Sequence, residues 1–255
     1  MKKLQWRGLT RALLSDSVAG KLTLAESANC DFMPVRLEEI PFFREVSEED
    51  LSSIKECLAE KTFAKGELLF VEGNACEATF FVKSGWIKMY RTSASGTVQS
   101  LEVLGPGETC TCNPGARNWT CGLTGQALTH CTVWFLAKED YVRLIHTNSK
   151  LSHLLNRVFA ERLQQASSSI AELSSEDSKK RLAHLLLELL AKSGRKDSAK
   201  GVISVPLTRE ELAEMIGTSR ETVVRQLYEL RRQRLIDIQS RRIVILDRQG
   251  LKKLL

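Results

Sequence analysis

The sequence predicts an α+β chain: a domain of short antiparallel strands, then a long helix, then a C-terminal winged helix-turn-helix. Three observations predict it. Between Thr62 and Leu136, short runs rich in β-branched and aromatic residues alternate with glycine turns, the pattern of a sandwich or barrel. Phe159, Leu163, Ala166, Ile170 and Leu173 follow one another at intervals of 4, 3, 4 and 3, which is a heptad seam on one helix face. Within residues 207–234, apolar residues mark two short helices on either side of Gly217, the layout of a helix-turn-helix.

Composition sets the frame. A chain of 255 residues that is 43% hydrophobic can bury one large core or two modest ones. It has no apolar run of about 18 residues, so no membrane span is expected. The start is basic (Lys2, Lys3, Arg7, Arg11) but lacks a continuous apolar core and a cleavage pattern, so a secretory leader is not expected either. Seven cysteines, an odd number, fit a cytoplasmic protein with reduced thiols better than a disulfide scaffold.

In order, residues 1–36 read as an N-terminal extension with a short helix near 8–14. Leu37–Phe43 opens the ordered domain, and Ser47 caps a helix running to about Glu60. Strands are expected at Thr62–Ala64, Leu68–Val71, Ala78–Val82, Trp86–Tyr90, Val98–Val103 and Thr132–Leu136. Helices follow at 138–146, about 148–173 and 179–192. Val202–Val205 is a short strand before the helix-turn-helix, and Ile236–Ile238 and Ile243–Leu246 flank Ser240-Arg241-Arg242 as a two-stranded wing with a basic tip. The domains predicted are 37–147 for the strand-rich domain, 148–176 for a dimerisation helix and 177–255 for the winged helix-turn-helix.

The second helix of the pair carries the chemistry. Thr208 and Glu211 form a capping box for the first helix, Gly217 ends it, and Thr218 or Ser219 caps the next. Arg220, Glu221 and Arg225 then stand at the N-terminal end, where base readers belong. An arginine fork matches guanine O6 and N7, and a glutamate accepts from cytosine N4. Residues 219–255 hold ten Lys or Arg and four acids, a net +6 that equals the formal charge of the whole chain. That concentration is the electrostatic footprint expected for DNA phosphates. No His-x-His pair, paired carboxylates or nucleophile–base signature occurs in residues 62–136, so an enzyme is not expected.

With these elements in place, the chain resembles the cyclic AMP receptor protein/FNR family of bacterial transcription regulators. The N-terminal half shows the family's glycine ladder in Lys65-Gly66-Glu67, Glu72-Gly73, Ser84-Gly85 and Gly105-Pro106-Gly107-Glu108. The C-terminal half follows its pattern in Leu207-Thr208-Arg209, Ala213, Ile216-Gly217, Ser219-Arg220-Glu221-Thr222-Val223 and Arg225. The resemblance implies an eight-stranded β-roll sensor (a jelly roll like those that bind cyclic nucleotides) and a homodimer joined by the long helix through Phe159, Leu163, Ala166, Ile170 and Leu173. It also implies a near-palindromic operator with TGTGA-like half-sites and, for an activator, contact with RNA polymerase. The residues expected at DNA are Thr208, Thr218, Ser219, Arg220, Glu221, Thr222 and Arg225, with Arg241 and Arg242 in the wing.

The same resemblance bears on the signal. Relatives that bind cyclic nucleotides use Gly-Glu for the ribose and Arg-Ser or Arg-Thr for the phosphate. Gly107-Glu108 match the first pair. Cys121-Gly122 stand where the second should be, counting back from the last strand; counting forward from Glu108 gives Arg117-Asn118 instead. A phosphate without its charge-assisted partner binds weakly. Cys110-Thr-Cys112 follows Glu108, and Cys131 lies on the last strand. Cys110, Cys112, Cys121 and Cys131 are therefore the expected sensor cysteines. Cys110, Cys112 and Cys121 are candidate ligands of an iron–sulfur cluster or another soft metal, or partners in a dithiol/disulfide couple. Free cysteine is also a common small core residue, and Cys131 and Cys57 fit that description too. Cys76 reads as an exposed turn residue. Haem sensing, with His130 inside the sensor, a small organic effector and a constitutive repressor are the other readings.

Overall fold

The computed structural model describes residues 34–110, 120–173, 177–192, 201–239 and 242–255, without the side chains of residue 42 and of several residues between 162 and 173. The expected N-terminal helix, Cys30, Cys112, Arg117, Asn118, Arg241 and the side chains of Ala166, Ile170 and Leu173 lie outside the described residues.

Two 3-10 turns, Leu37–Glu39 and Pro41–Phe43, lead into α1 (Glu48–Cys57). The Ser47 hydroxyl accepts from the Asp50 amide at 3.2 Å, and three acids occupy the positive end of the helix. This helix stops at Cys57, short of the expected Glu60, and the chain passes directly into β1 (Leu58–Phe63). Leu58, Ala59 and Glu60 pair with Leu136, Phe135 and Trp134 across an antiparallel ladder, and that pairing overrides the local helix preference of Leu-Ala-Glu-Lys.

The remaining strands of this domain are β2 (Leu68–Phe70), β3 (Ala78–Ser84), β4 (Ile87–Thr92), β5 (Val98–Leu104), β6 (Thr124–Ala127) and β7 (Cys131–Ala137). They form two antiparallel sheets, β1-β7-β3 and β2-β6-β4-β5. The described residues thus carry seven strands of the roll, where the resemblance implies eight. Inward-facing Phe63, Phe80, Val82, Ile87, Leu104, Cys131 and Val133 fill the space between the sheets. Phe70 and Phe135 close on Phe80 with ring centroids 5.3 and 6.1 Å away. Strand β6 was not expected, because Thr-Gly-Gln-Ala lacks a β-branched or aromatic run. Gly125 is there because Phe70 lies across it: a Cβ at that position would come within 2.6 Å of the Phe70 ring.

The outer face of β1-β7-β3 is covered as well. Phe81 meets Phe43 in a tilted ring contact, centroids 4.8 Å apart, and packs with Ile40, Ile54, Leu151 and Leu154. Leu151 and Leu154 belong to α3 (Ser149–Leu173), which follows α2 (Lys138–Thr147).

The C-terminal part comprises α4 (Ser178–Lys192), β8 (Gly201–Ile203), α5 (Arg209–Ile216), α6 (Arg220–Arg232), β9 (Ile236–Gln239), β10 (Arg242–Ile245) and α7 (Arg248–Lys252). The sheet order β8-β10-β9 makes the wing. Leu182, Leu186, Leu212, Val223, Leu227, Leu230, Ile236 and Leu251 are almost wholly buried in one core. The expected strand at 202–205 is shifted to 201–203, where β10 pairs with it. The final helix α7 was not expected; Asp247 caps it by accepting from the Gly250 amide at 2.8 Å. No helix among the described residues is long and apolar enough to cross a membrane.

Helix α6 ends with Arg234 in a left-handed conformation, φ +56°. The Leu235 amide donates to the Leu230 carbonyl at 3.0 Å and the Arg234 amide to Arg231 at 2.9 Å, a cap that glycine fits without strain. Arg234→Gly is therefore expected to stabilise the chain by about 0.5–1 kcal/mol, measured as a raised midpoint in urea with an unchanged slope.

Candidate nucleic-acid interface and thiol core

The helix-turn-helix is built by its caps. The Thr208 hydroxyl accepts from the Glu211 amide at 3.1 Å, and Glu211 accepts from the Thr208 amide at 2.7 Å. Gly217, φ +62°, ends α5, and its neighbour Thr218 donates to the Ala213 carbonyl at 3.0 Å. Ser219 caps α6 through the Thr222 amide at 3.2 Å. Arg181 of α4 donates to the Ile216 carbonyl at 2.8 Å, which ties the turn to the domain core.

Val223, Leu227 and Leu230 turn inward, so the opposite face of α6 is left to solvent. It carries Arg220, Glu221 and Arg225 at the N-terminal end, all exposed. Its own amide, the Ser219 hydroxyl and neighbouring Arg220 hold the Glu221 carboxyl below the usual carboxylate range, so it stays an acceptor. Arg220 lies 3.9 Å from Glu210. Val224 and Tyr228, not expected among the DNA-facing residues, are 48% and 68% exposed on the same face. Glu221, Val224, Arg225 and Tyr228 sit at i, i+3, i+4 and i+7, so they form one stripe. The signal was there: neither apolar side chain fits the buried periodicity of Val223, Leu227 and Leu230. Arg242 begins β10 on the exposed side of the wing, paired with Gln239.

The expected sensor residues are placed differently from one another. Gly107 takes a positive φ of 86° in the turn after β5. The Glu108 carboxylate accepts from the Gly105 amide at 2.8 Å and meets Lys192 of α4 at 3.1 Å. Cys131 is fully buried, with its thiol 3.1 Å from the Trp86 carbonyl. Cys110 sits in a glycine- and proline-containing stretch that reads as polar loop, yet it is buried in the roll core with its thiol 3.6 Å from the Thr79 hydroxyl. Cys76, expected to be exposed, is buried too. It forms a small cluster with Cys121 and the edge of Phe70. The Cys76 thiol donates to the Ala78 carbonyl at 3.3 Å. The adjacent Cys76 thiol, burial and the nearby Cys110 push the Cys121 thiol far above its ordinary pKa. Among the described residues, no three Cys, His, Asp or Glu side chains converge as a metal site. His130 is exposed in the turn before β7.

The two halves are joined by buried polar contacts. Lys88 of β4 lies 3.4 Å from Glu214 and 3.9 Å from Glu211, both on α5. The Ser100 hydroxyl of β5 donates to the same Glu214 oxygen at 2.6 Å. Lys192 donates to the Val103 carbonyl at 2.8 Å and sits between Glu102, Glu108 and Glu188. Trp86, Val103 and Leu128 extend the apolar core of the winged domain into the roll.

Comparison with known proteins agrees with this architecture. Residues 60–148 match the cyclic nucleotide-binding domain family, and residues 180–254 match the Crp-like helix-turn-helix domain family. The cyclic AMP receptor protein of Thermus thermophilus is 29% identical over 194 residues, 74% of this chain and 85% of that protein. The CRP-like cAMP-activated global transcriptional regulator of Mycobacterium tuberculosis is 26% identical over 215 residues, 83% of this chain and 94% of that protein. The structure of FixK2 from Bradyrhizobium japonicum shares the fold with a TM-score of 0.70 at 23% identity, covering 77% of this chain and 96% of that one. A cyclic-nucleotide-binding-type roll joined to a Crp-like helix-turn-helix places this chain in the cyclic AMP receptor protein/FNR family of DNA-binding transcription regulators.

Proposed function

We propose that the chain acts as a cytoplasmic homodimer that binds a near-palindromic operator through α6 of each copy, with its affinity set by the thiols of the β-roll. In this reading residues 37–147 are the sensor, 148–176 the dimerisation helix and 177–255 the DNA-binding domain. It is a regulator and not an enzyme, with RNA polymerase as a further partner if it activates. Leu163, 71% exposed on α3, suits a helix whose seam awaits a second copy. Two recognition helices presented at a spacing of about one DNA turn bind far better than one.

The observation that carries the thiol reading is Cys121. It stands where nucleotide-binding relatives are expected to hold the phosphate arginine, and it is buried against Cys76 with Cys110 nearby. Glu108, at the ribose position, is already committed to Gly105 and Lys192. Both facts favour thiols over a cyclic nucleotide, and the exposure of His130 speaks against a haem pocket. The described thiols offer a two-sulfur site and do not fit an iron–sulfur cluster or a three-ligand metal site by themselves.

The test is operator binding by fluorescence anisotropy after anaerobic purification, with reductant, a disulfide oxidant, a chelator and cyclic AMP as separate additions, beside an absorption spectrum and metal analysis of wild type and Cys110→Ser/Cys112→Ser. The reading expects a tenfold or greater change, on the order of 1.4 kcal/mol, between reductant and oxidant. An unchanged affinity in every condition would make the protein a constitutive binder, and a response to cyclic AMP alone would restore the nucleotide. Stoichiometric metal lost in the double variant would turn the thiols into ligands. In the same assay Arg241→Ala is expected to weaken binding to operator and random DNA alike and to lower the salt slope by about 1. An unchanged slope would remove the wing tip from the phosphate footprint.

A further inference from the structure

We propose that Cys76 and Cys121 are a two-electron redox site: they close into an intramolecular disulfide that ties the turn after β2 to the segment entering β6. The proposal rests on the thiol reading above and names its site.

Three observations converge on this pair. Cys76 and Cys121 are 4% and 5% exposed and pack on each other beneath Phe70. Their backbones are already held together. The Gly73 amide donates to the Cys121 carbonyl at 2.8 Å, and the Cys121 amide donates to the Asn74 carbonyl at 2.9 Å. Ala75 and Thr120 form an antiparallel bridge, which puts Cys76 and Cys121 on the same face as diagonal neighbours. The Cys76 thiol donates to the carbonyl of Ala78, two residues on, at 3.3 Å. Cys131 meets the Trp86 and Thr129 carbonyls at 3.1 and 3.2 Å, and Cys110 contacts the Thr79 hydroxyl; both lie in the roll core and outside this cluster.

Closing this packed pair to a bond of about 2.05 Å requires rotation about both Cα–Cβ bonds, release of the Cys76 thiol from the Ala78 carbonyl and a small movement of the turn. The turn is placed to pass that movement on. Glu72 holds Arg91 of β4 at 2.8 Å, and the same Arg91 nitrogen donates to the Gly122 carbonyl at 3.2 Å. Strand β4 also carries Lys88, which meets α5 of the DNA-binding domain.

The step balances with a low-molecular-weight disulfide, RSSR, as oxidant. One thiol gives up its proton and its sulfur attacks RSSR. The S–S bond of RSSR breaks, a mixed disulfide forms, and RSH leaves with the proton. The second thiol loses its proton, and its sulfur attacks the protein sulfur of the mixed disulfide. The Sγ–Sγ bond forms and a second RSH leaves. Two electrons pass from the pair to RSSR. Because both thiols are buried, and burial disfavours the thiolate, the exchange is slow and follows thiolate formation, so the site equilibrates with a redox buffer and does not serve as a rapid peroxide trap.

The full chain would be equilibrated in dithiothreitol buffers of graded oxidised-to-reduced ratio, its free thiols alkylated, and the tryptic peptides mapped by mass spectrometry. Cleavage at Arg117 separates Cys121 from Cys110 and Cys112, and Cys131→Ser removes the remaining ambiguity within 118–138. The expected result is a reversible Cys76–Cys121 link, absent in Cys76→Ser and in Cys121→Ser, with Tm raised by roughly 5–10 °C in the oxidised protein. Thiols that stay free at the oxidising limit, or a link from Cys110 to either residue, would overturn it, whatever the variants do. A link that forms without altering operator affinity supports the site and removes the control reading. An operator response to oxidant without the link keeps that reading and overturns this site.

Discussion

Arg220→Ala is expected to weaken operator binding by about 1–3 kcal/mol per half-site, or roughly 2–6 kcal/mol for a dimer on both. The guanidinium stands exposed in the first turn of α6, beyond the Ser219 cap, so its loss leaves the fold intact, and for a base-reading arginine it removes a bidentate contact. It carries no buried partner; its ion pair with Glu210 is long, 3.9 Å, and both side chains are mostly exposed, which makes that contact worth little. Binding to random DNA should fall far less, because only one cation leaves the phosphate footprint. Titration against operators altered one base pair at a time should show discrimination lost at a single position in each half-site. An equal fall on operator and random DNA would assign Arg220 to phosphate instead. Val224→Ala offers a milder companion: an apolar side chain on that stripe suits a thymine methyl, so its loss should relax preference at one A·T pair.

The second large effect is expected at Glu214. Glu214→Ala should destabilise the chain by about 2–3 kcal/mol, seen as a lower urea midpoint. Lys88 has a side chain only 11% exposed, and without Glu214 its ammonium keeps Glu211 at 3.9 Å and the Tyr90 ring at 5.2 Å, neither a close charge partner. Removing one partner of a buried pair costs about 3–5 kcal/mol, and the partial exposure of Glu214, 24%, reduces that. Ser100 loses its acceptor at the same time. Lys88→Met in the Glu214→Ala background should restore much of the loss, since no buried charge is then left alone. If Glu214→Ala alone is neutral, the pair is solvated and the contact between roll and winged domain is weaker than its geometry indicates.

The helix-turn-helix was legible because its signals are local. Thr208 with Glu211, Gly217 and Ser219 fix the caps, and Leu212, Ile216, Val223, Leu227 and Leu230 fix the buried faces. Elements set by long-range pairing were less legible. Leu58–Lys61 became strand because β7 lies beside it, and Thr124–Ala127 became strand although its composition is that of a turn. The thiol core was half legible: Cys121 was singled out, but its partner lies 45 positions earlier and no local pattern joins them. Cys110 looked polar because its neighbours are; its burial comes from the closing of the roll around Phe80 and Val133. The ties from Lys88 to Glu214 and from Lys192 to Glu108 join residues far apart in the chain, beyond any pattern that periodicity or capping can reveal.

Lys192 has a consequence for anyone recombining this chain with its relatives. Its ammonium enters the roll at the Val103 carbonyl and is ringed by Glu102 and Glu108 from one domain and Glu188 from the other. The two halves are therefore not interchangeable modules. A chimera that grafted a foreign roll onto residues 177–255 would strand Lys192 and Glu214 without their counterparts, and would lose Trp86, Val103 and Leu128 from the shared core. A productive hybrid must carry both sides of this seam, or cut elsewhere.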